Sequence, residues 1–440
     1  MAGQLLAQET NSFSVDEAVA YAIKNQVNVV NARLDSESAK ARVGEIRAIG
    51  LPQINGSLSL VDNPALQRMF FKVGINPLIP AGPGMKPGEV VAVPNLFQLR
   101  SSGDASITAS QLIFDASYLV GLKAASTYRK LVEKQLDQSK VTTAENVKKA
   151  YYLVLVNQAR MHLLDANIFR LDTLLKQTAA LNKEGFVEKL DVNRLEVAYN
   201  NLLTEKSKFV NLLVVSKLLL KFQMGMPVQD SISLKDSLAT LPLDSVDTTA
   251  SVDFSNRPEY KLLETNKELQ KLNLKKNKYA FLPNLSAFAS AGYNTQRNHF
   301  GDVFNAPWYG YGRWGFSLNV PIFGGLGNSY RIKQAKLEYE KVDNSLLNLE
   351  NAINFQAEQA KTTLINQLKS LETQKRNLDL AEEVTRVTKI KYQEGVGSNL
   401  ELVTAENDYK EAQTNYYNAL YDVIVAKIDY QKALGTLYSE

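Results

Sequence analysis

The sequence predicts a mixed, mostly α-helical fold written as two matched halves. Three observations carry this. Two stretches of 60-odd residues, Leu122 to Glu184 and Tyr330 to Glu394, contain neither proline nor glycine. Short runs elsewhere alternate apolar and polar residues with a period of two. EGFVEKLDVNRLEVAY at 184–199 is echoed by EGVGSNLELVTAENDY at 394–409, an offset of 210. A repeat that long is one half of a fold written twice, not a solenoid unit.

The helices come first. Leu402, Ala405, Tyr409, Ala412, Tyr416, Ala419, Val423, Ala426, Tyr430, Ala433 and Leu437 alternate spacings of three and four without an error. That is a heptad seam whose alanines admit close helix partners. Val192, Leu195, Tyr199, Leu202, Phe209, Leu213 and Leu220 keep the same register in the first half, interrupted at Lys206 and Ser216. Upstream, Leu346, Leu349, Ile353, Ala357, Ala360, Leu364, Leu368 and Leu371 form a second stripe. Each breaker-free stretch predicts a helix of about 95 Å at 1.5 Å per residue. Globular helices average three turns, so such lengths point to a coiled coil or scaffold and away from an enzyme core.

Between the helices the period changes to two. Ile54, Gly56, Leu58 and Leu60 alternate with Asn55, Ser57 and Ser59. Ala105, Ile107 and Ala109 form a weaker run, while Leu285, Ala287, Ala289, Ala291 and Tyr293 form a third. Trp314, Phe316, Leu318 and Val320 form a fourth. These read as half-buried strands in two hairpins, 51–114 and 282–323, with excursions at 62–100 and 294–313. Leu51-Pro52 and Leu282-Pro283 precede the first strand of each; Ile113-Phe114 and Ile322-Phe323 follow the second.

The expected divisions are an N-terminal segment 1–13, a first repeat 14–225, an acidic, proline-punctuated linker 226–256 and a second repeat 257–437. Segment 1–13 reads as a signal-peptide remnant, with GQLLAQ ending near the small Ala7, or as a frayed terminus. The glycine tips 184–191 and 394–401 turn each long helix back on a shorter one. Gly185, Gly395 and Gly397 suit left-handed backbone at a tight stop. Ser398-Asn399-Leu400-Glu401 reads as a capping box, and Asp191 suits a helix N-terminus.

Composition excludes several functions. The chain has no cysteine, hence no disulfide, thiolate site or lipid attached through an N-terminal cysteine. His162 and His299 are the only histidines and read as ordinary helix and loop residues, so no metal or catalytic set is expected. Net charge is +4 with both signs interspersed, which disfavours nucleic acid. No apolar run reaches the roughly 18 residues of a membrane helix. Yet four strands with one apolar face cannot close a barrel with a usable interior, and lipid forbids an open edge, so several chains would share one barrel. Trp308, Tyr309, Tyr311 and Trp314 cluster at one strand's end, like an interfacial aromatic girdle. A soluble coiled-coil scaffold with a small local β-sandwich is the alternative.

The motifs SVDEAVAYAIKNQ…GLPQINGSLSL, RPEYKLLETNKELQ…FLPNLSAFASAGY, NVPIFGGLGN and YQEGVGSNLELVTAENDY…ALGTL resemble the outer membrane efflux protein family, the TolC-like channels, across residues 14–437. That resemblance implies a homotrimer with a 12-stranded outer-membrane β-barrel and a 12-helix periplasmic α-barrel. It implies a passive duct without cofactor, set in outer-membrane lipid. Its partners would be a periplasmic adaptor (membrane fusion) protein and an inner-membrane pump of the RND or ABC class. By resemblance, Glu401 falls on the first position of a periplasmic constriction and Thr404 on the second, which is a carboxylate in the family. Gly397 stands where a gating arginine is found. Asp191 and Tyr392 match positions that pair across helices to hold the closed state. The tips, with Gly185, Phe186, Leu190, Gly395, Val396, Gly397 and Leu400, would meet the adaptor.

Overall fold

The structure, a computed structural model, describes residues 11–74, 86, 88–93, 95, 97–238 and 252–438. Ala7 and its surroundings, residues 75–85 of the first excursion, and 239–251 of the linker lie outside them. In chain order, the first elements are β1 (Asn11–Phe13), α1 (Val15–Asn25), α2 (Val27–Ala48), β2 (Gln53–Asp62), β3 (Met69–Lys72), β4 (Val90–Val93) and β5 (Ser101–Phe114). Two long helices follow, α3 (Ala116–Lys183) and α4 (Lys189–Met224), then β6 (Ile232–Leu234) and α5 (Pro258–Tyr279). The last are β7 (Asn284–Arg297), α6 (Asp302–Asn305), β8 (Tyr309–Asn319), α7 (Gly327–Gln393) and α8 (Asn399–Leu434).

The chain divides into two units, and helices α2, α3, α5 and α7 contribute residues to both. One, comprising 41–126 and 270–338, holds a four-stranded antiparallel sheet of order β2-β5-β7-β8. Its register aligns the alternating runs. Ile54 lies beside Ala109, Ala109 beside Ala289 and Ala289 beside Trp314. Leu58, Ala105 and Tyr293 form another such row. Because the side-chain period is two, these rows share one face. The opposite face carries Asn55, Thr108, Ser290 and Arg313 in one row. Thr108 donates to Ser290 Oγ at 3.3 Å, and the Ser57 and Ser106 hydroxyls lie 2.9 Å apart. Ile113 bulges out of the β5–β7 ladder where the register shifts.

Two features of this unit differ from the sequence reading. The first excursion contains a second small hairpin, β3–β4, because MFFK and VVAV are strand-forming runs too short to register as alternation. The second excursion is only 298–308; its aromatic end belongs to β8.

The other unit, 1–40, 127–269 and 339–440, is helical. The heptad seam, in α8 and just after it, is buried at Leu402, Ala405, Ala412, Ala419, Val423, Ala426, Tyr430, Ala433 and Leu437, all at most 9% exposed, and partly buried at Tyr409 and Tyr416. Ile353, Ala357 and Leu364 of α7 are likewise buried, and Leu364 packs with Val423, Ala426 and Tyr430. Leu164, Leu171 and Leu174 of α3 form a second core with Leu195, Leu202 and Leu402. A third core joins Ala18, Val19 and Ala22 of α1 to Tyr151, Val154, Leu220 and Met224. Residues 11–13, grouped by sequence with the N-terminal remnant, instead form β1 and pair in parallel with β6 of the linker. The Tyr151 hydroxyl donates to Phe13 O at 2.9 Å and fixes that strand. The period of three residues in an isolated strand is too short to read.

Candidate functional site: the helix tips and the open sheet

At the first tip, Gly185 takes φ 75°. Its N–H donates to Asn182 O, and Phe186 N–H donates to Leu181 O at 2.9 Å, so the last carbonyls of α3 are satisfied. The second tip repeats the geometry. Gly395 takes φ 76°, Gly395 N–H donates to Tyr392 O, and Val396 and Gly397 N–H both donate to Lys391 O at 3.0 Å. Gly397 itself does not have positive φ. A Cβ there would sit tightly, 3.0 Å from Tyr392 N and Lys391 Cβ.

Only half of the expected capping box forms. Ser398 Oγ accepts from Glu401 N–H at 3.1 Å, but Glu401 does not reach back to the Ser398 N–H. Its carboxylate points to solvent, so the residue at the expected constriction position is charged and exposed. Thr404 also faces solvent, though its hydroxyl donates to Leu400 O one turn earlier at 2.8 Å. Glu188, which precedes α4, makes no side-chain cap.

Asp191 and Tyr392 do not join within the chain. The Asp191 carboxylate lies 3.6 Å from Arg194 on its own helix, whereas the Tyr392 hydroxyl lies 3.2 Å from Thr178 Oγ1 of α3. Tyr392 also packs against the Leu171–Leu195–Leu402 core. What links the tips is Asn399, whose Nδ2 donates to Asp191 O at 3.4 Å.

A polar seam that sequence reasoning missed lies above the tips. Arg170 Nε of α3 is 3.1 Å from Glu406 Oε2 of α8, and its guanidinium sits 5.1 Å from the Tyr409 ring centre. Burial pushes the Glu406 carboxyl above the usual range, against the opposing pull of Arg170 and Lys389. Asn167 donates to Gln413 at 2.8 Å in a fully buried bond, and Thr385 of α7 donates to Ala405 O at 2.9 Å. The signal was weak: Glu406 lies beside Ala405 but off the seam positions, and Thr178 and Thr385 are hydroxyls inside long helices.

Exposed apolar residues crown the tips. Phe186 is 77% exposed and Val396 79%, and Leu190 and Leu400 are also exposed. Leu190, Arg194, Val197, Leu400, Val403 and Lys410 line a groove of about 470 Å³ between α4 and α8.

In the sheet unit, the four aromatics do not form one belt. Tyr309 and Tyr311 point to the polar face, where the Tyr311 hydroxyl donates to Asp104 at 2.9 Å. Trp314, 79% exposed, points to the apolar face with Tyr293. Odd and even positions of one strand must part in this way. Trp308 precedes β8; its indole N–H donates to Val303 O at 3.0 Å, and its ring covers Gly103. It therefore packs α6 against the sheet.

Among the described residues, no cluster of histidine and carboxylate side chains could hold a metal, and no helix is long and apolar enough to cross a membrane. The profile of the outer membrane efflux protein family matches residues 19–213 and 256–436. The chain is 23% identical over 309 residues to the probable efflux pump outer membrane protein TtgC of Pseudomonas putida, a match covering 68% of this chain and 61% of that protein. It spans about three fifths of that relative's length. Identity is 22% over 392 residues to the solvent efflux pump outer membrane protein SrpC of the same species, covering 84% of this chain and 79% of the relative. The fold is similar to the Campylobacter jejuni CmeC outer membrane channel, with a TM-score of 0.75 at 16% identity over 99% of this chain and 91% of that one. With its long coiled helices, glycine tips and one-faced sheet, the chain belongs to the outer membrane efflux protein family and is a bacterial outer-membrane protein with a periplasmic extension.

Proposed function

We propose that three copies of the chain form the exit duct of a tripartite efflux or type I secretion system. The observation that carries this is the open sheet. β2 and β8 are its edges, each paired on one side only among the described residues, and its apolar residues share one face. In hydrocarbon an unpaired edge costs several kcal/mol per group, so β8 of one copy pairs with β2 of the next. Two copies would give an eight-stranded barrel whose interior side chains fill; three give about 12 strands and a passage. The apolar face meets lipid, with Tyr293 near the sheet's end as an interfacial anchor and Trp314 midway along β8 on the lipid face.

Four long helices from each copy close a 12-helix tunnel through the periplasm. Exposed Val214 and Val215 on α4 and Val384 and Ile390 on α7 supply apolar surface for the seams between copies. At the tunnel's end, Glu401 from three copies forms a carboxylate ring with Thr404 beside it. The Tyr392–Thr178 contact, with Asn399 on Asp191 O, holds each copy's tips in place. Phe186, Leu190, Val396 and Leu400 meet the periplasmic adaptor, which connects the duct to an inner-membrane pump of the RND or ABC class. The duct itself is passive.

The test is the protein mass in mild detergent, by light scattering with detergent subtracted. Three times 49.0 kDa, roughly 147 kDa, is expected. A monomer or dimer would mean that the sheet closes in another way and would end the duct reading.

A further inference from the structure

A recess of about 730 Å³ lies between the α1–α2 junction, α3 and the C-terminal end of α4. Its floor is one face of α3, where Gln135, Gln138, Ser139, Thr142, Thr143 and Asn146 recur at spacings of three and one. Such spacing on a packed helix normally carries apolar residues. Here every position is a neutral hydrogen-bonding group. The amides of Gln26, Asn28 and Gln223 face them.

None of the 15 lining residues is charged, although charged residues make up 22% of the chain. Neighbouring charges are turned aside. Lys134 pairs with Asp137 at 3.1 Å, and Glu145 pairs with Lys149 and Lys432. Lys221, in the last turn of α4, donates to the carbonyls of Val228 and Asp230. Beside it Phe222 is 67% exposed and presents an aromatic surface at the recess.

The walls are fixed by backbone. A Cβ on Gly225 would lie 2.7 Å from Asn25 O, so the end of α4 and the α1–α2 junction touch directly. Gln26 Oε1 accepts from Asn28 N–H at 2.6 Å and holds the start of α2.

We propose that this recess binds a neutral sugar chain bearing hydroxyl and acetamido groups, the chemistry of a cell-wall glycan strand. Side-chain amides offer donors and acceptors together and so suit hydroxyl and acetamido groups; the Thr142 hydroxyl, which donates to Gln138 O at 3.0 Å, still offers an acceptor. The aromatic ring of Phe222 supports the apolar C–H face of a sugar ring. The absence of charge disfavours an ionic peptide or a phosphate, and Val27, Pro227 and Val228 add apolar surface beside Phe222 for the C–H faces of sugar rings. A helix of a second copy packed here would leave many amides without partners, each at a cost. The family's periplasmic extension places the recess in the compartment that holds such strands.

The probe is the β-1,4-linked N-acetylglucosamine tetramer, titrated into the full-length, detergent-solubilised protein by calorimetry and saturation-transfer NMR. Saturable binding is expected, at least tenfold weaker in Phe222→Ala and in Gln135→Glu, a substitution at a solvent-facing position. Maltotetraose, which lacks acetamido groups, should bind more weakly than the probe. No saturable binding, or equal affinity in both variants, overturns the proposal. So does a Phe222→Ala protein that loses oligomer mass while binding the tetramer as before, because the face is then an interface between copies.

Discussion

The Thr178 hydroxyl, wholly buried on α3, meets the Tyr392 hydroxyl at 3.2 Å near the last turn of α7. Removing one partner strands the other away from water. Tyr392→Phe should therefore destabilise the helical unit by about 1–2 kcal/mol, read as a lower melting temperature. Thr178→Val with Tyr392→Phe should recover most of it, since an apolar pair of similar shape leaves nothing unpaired. If this contact also holds the tips together, Tyr392→Phe channels in planar bilayers should open more often than wild type. Additive stability losses in the double variant would show that the hydroxyls are not coupled.

The contact also marks where sequence reading ran out. The heptad seam of α8 and the alternating strands were legible because each is periodic: burial enforces the period in the helix, while the strands, read as half-buried, keep one apolar face that stands exposed in the single chain. Gly185 and Gly395 were legible because left-handed backbone nearly demands glycine. Tyr392 was placed by resemblance, paired with Asp191 across helices, and Thr178 was not singled out. Which hydroxyl a tyrosine meets depends on helix rotation and crossing, and no local pattern encodes either. The same applies to Trp308: sequence put it near a strand end, while its face and its bond to Val303 O follow from where β8 begins.

Arg170 and Glu406 should respond unequally to replacement. The Glu406 side chain is only 12% exposed, so an ionised carboxylate there depends on Arg170. Arg170→Met leaves that charge uncompensated and should cost about 3 kcal/mol at pH 8. Glu406→Gln should cost less. The pH dependence has a defined sign. Burial holds the Glu406 carboxyl above the ordinary glutamate value of 4.5, opposed by Arg170 from α3 and Lys389 from α7. Lys410, near on α8, is already paired with Glu205 of α4. The folded state therefore binds more protons than the unfolded one between 4.5 and the raised value, and stability falls as pH rises through that window. Without Arg170 the window widens upward. The melting deficit of Arg170→Met should grow from pH 5 to pH 8; a constant deficit would mean that Arg170 acts by packing alone.

Alanine at the four helix-ending glycines should separate strain from collision. Gly185 and Gly395 have open space where a Cβ would stand, so each substitution costs only the left-handed conformation, about 1–2 kcal/mol. Gly225 and Gly435 share the same φ, but a Cβ would lie 2.7 Å from Asn25 O and 2.8 Å from Asn256 O. Backbone cannot yield as a side-chain tip does. Thermal melts should rank Gly225→Ala and Gly435→Ala well below the tip variants. Equal losses at all four would show that the backbone around 25 and 256 gives way.

Glu401 allows charge to be tested apart from folding. Its backbone N–H, not its carboxylate, is what Ser398 caps, and the side chain is exposed. Glu401→Gln should therefore leave the melting temperature nearly unchanged, within about 0.5 kcal/mol. Ser398→Ala should cost about 1 kcal/mol through the lost cap while keeping the charge. In a trimer one carboxylate per chain becomes a ring of three, and a narrow ring of like charge concentrates cations. The reversal potential across a KCl gradient should then move toward zero in Glu401→Gln and stay at the wild-type value in Ser398→Ala. The same reversal potential in all three proteins would place Glu401 outside the conducting path, with the selective narrowing somewhere other than the start of α8.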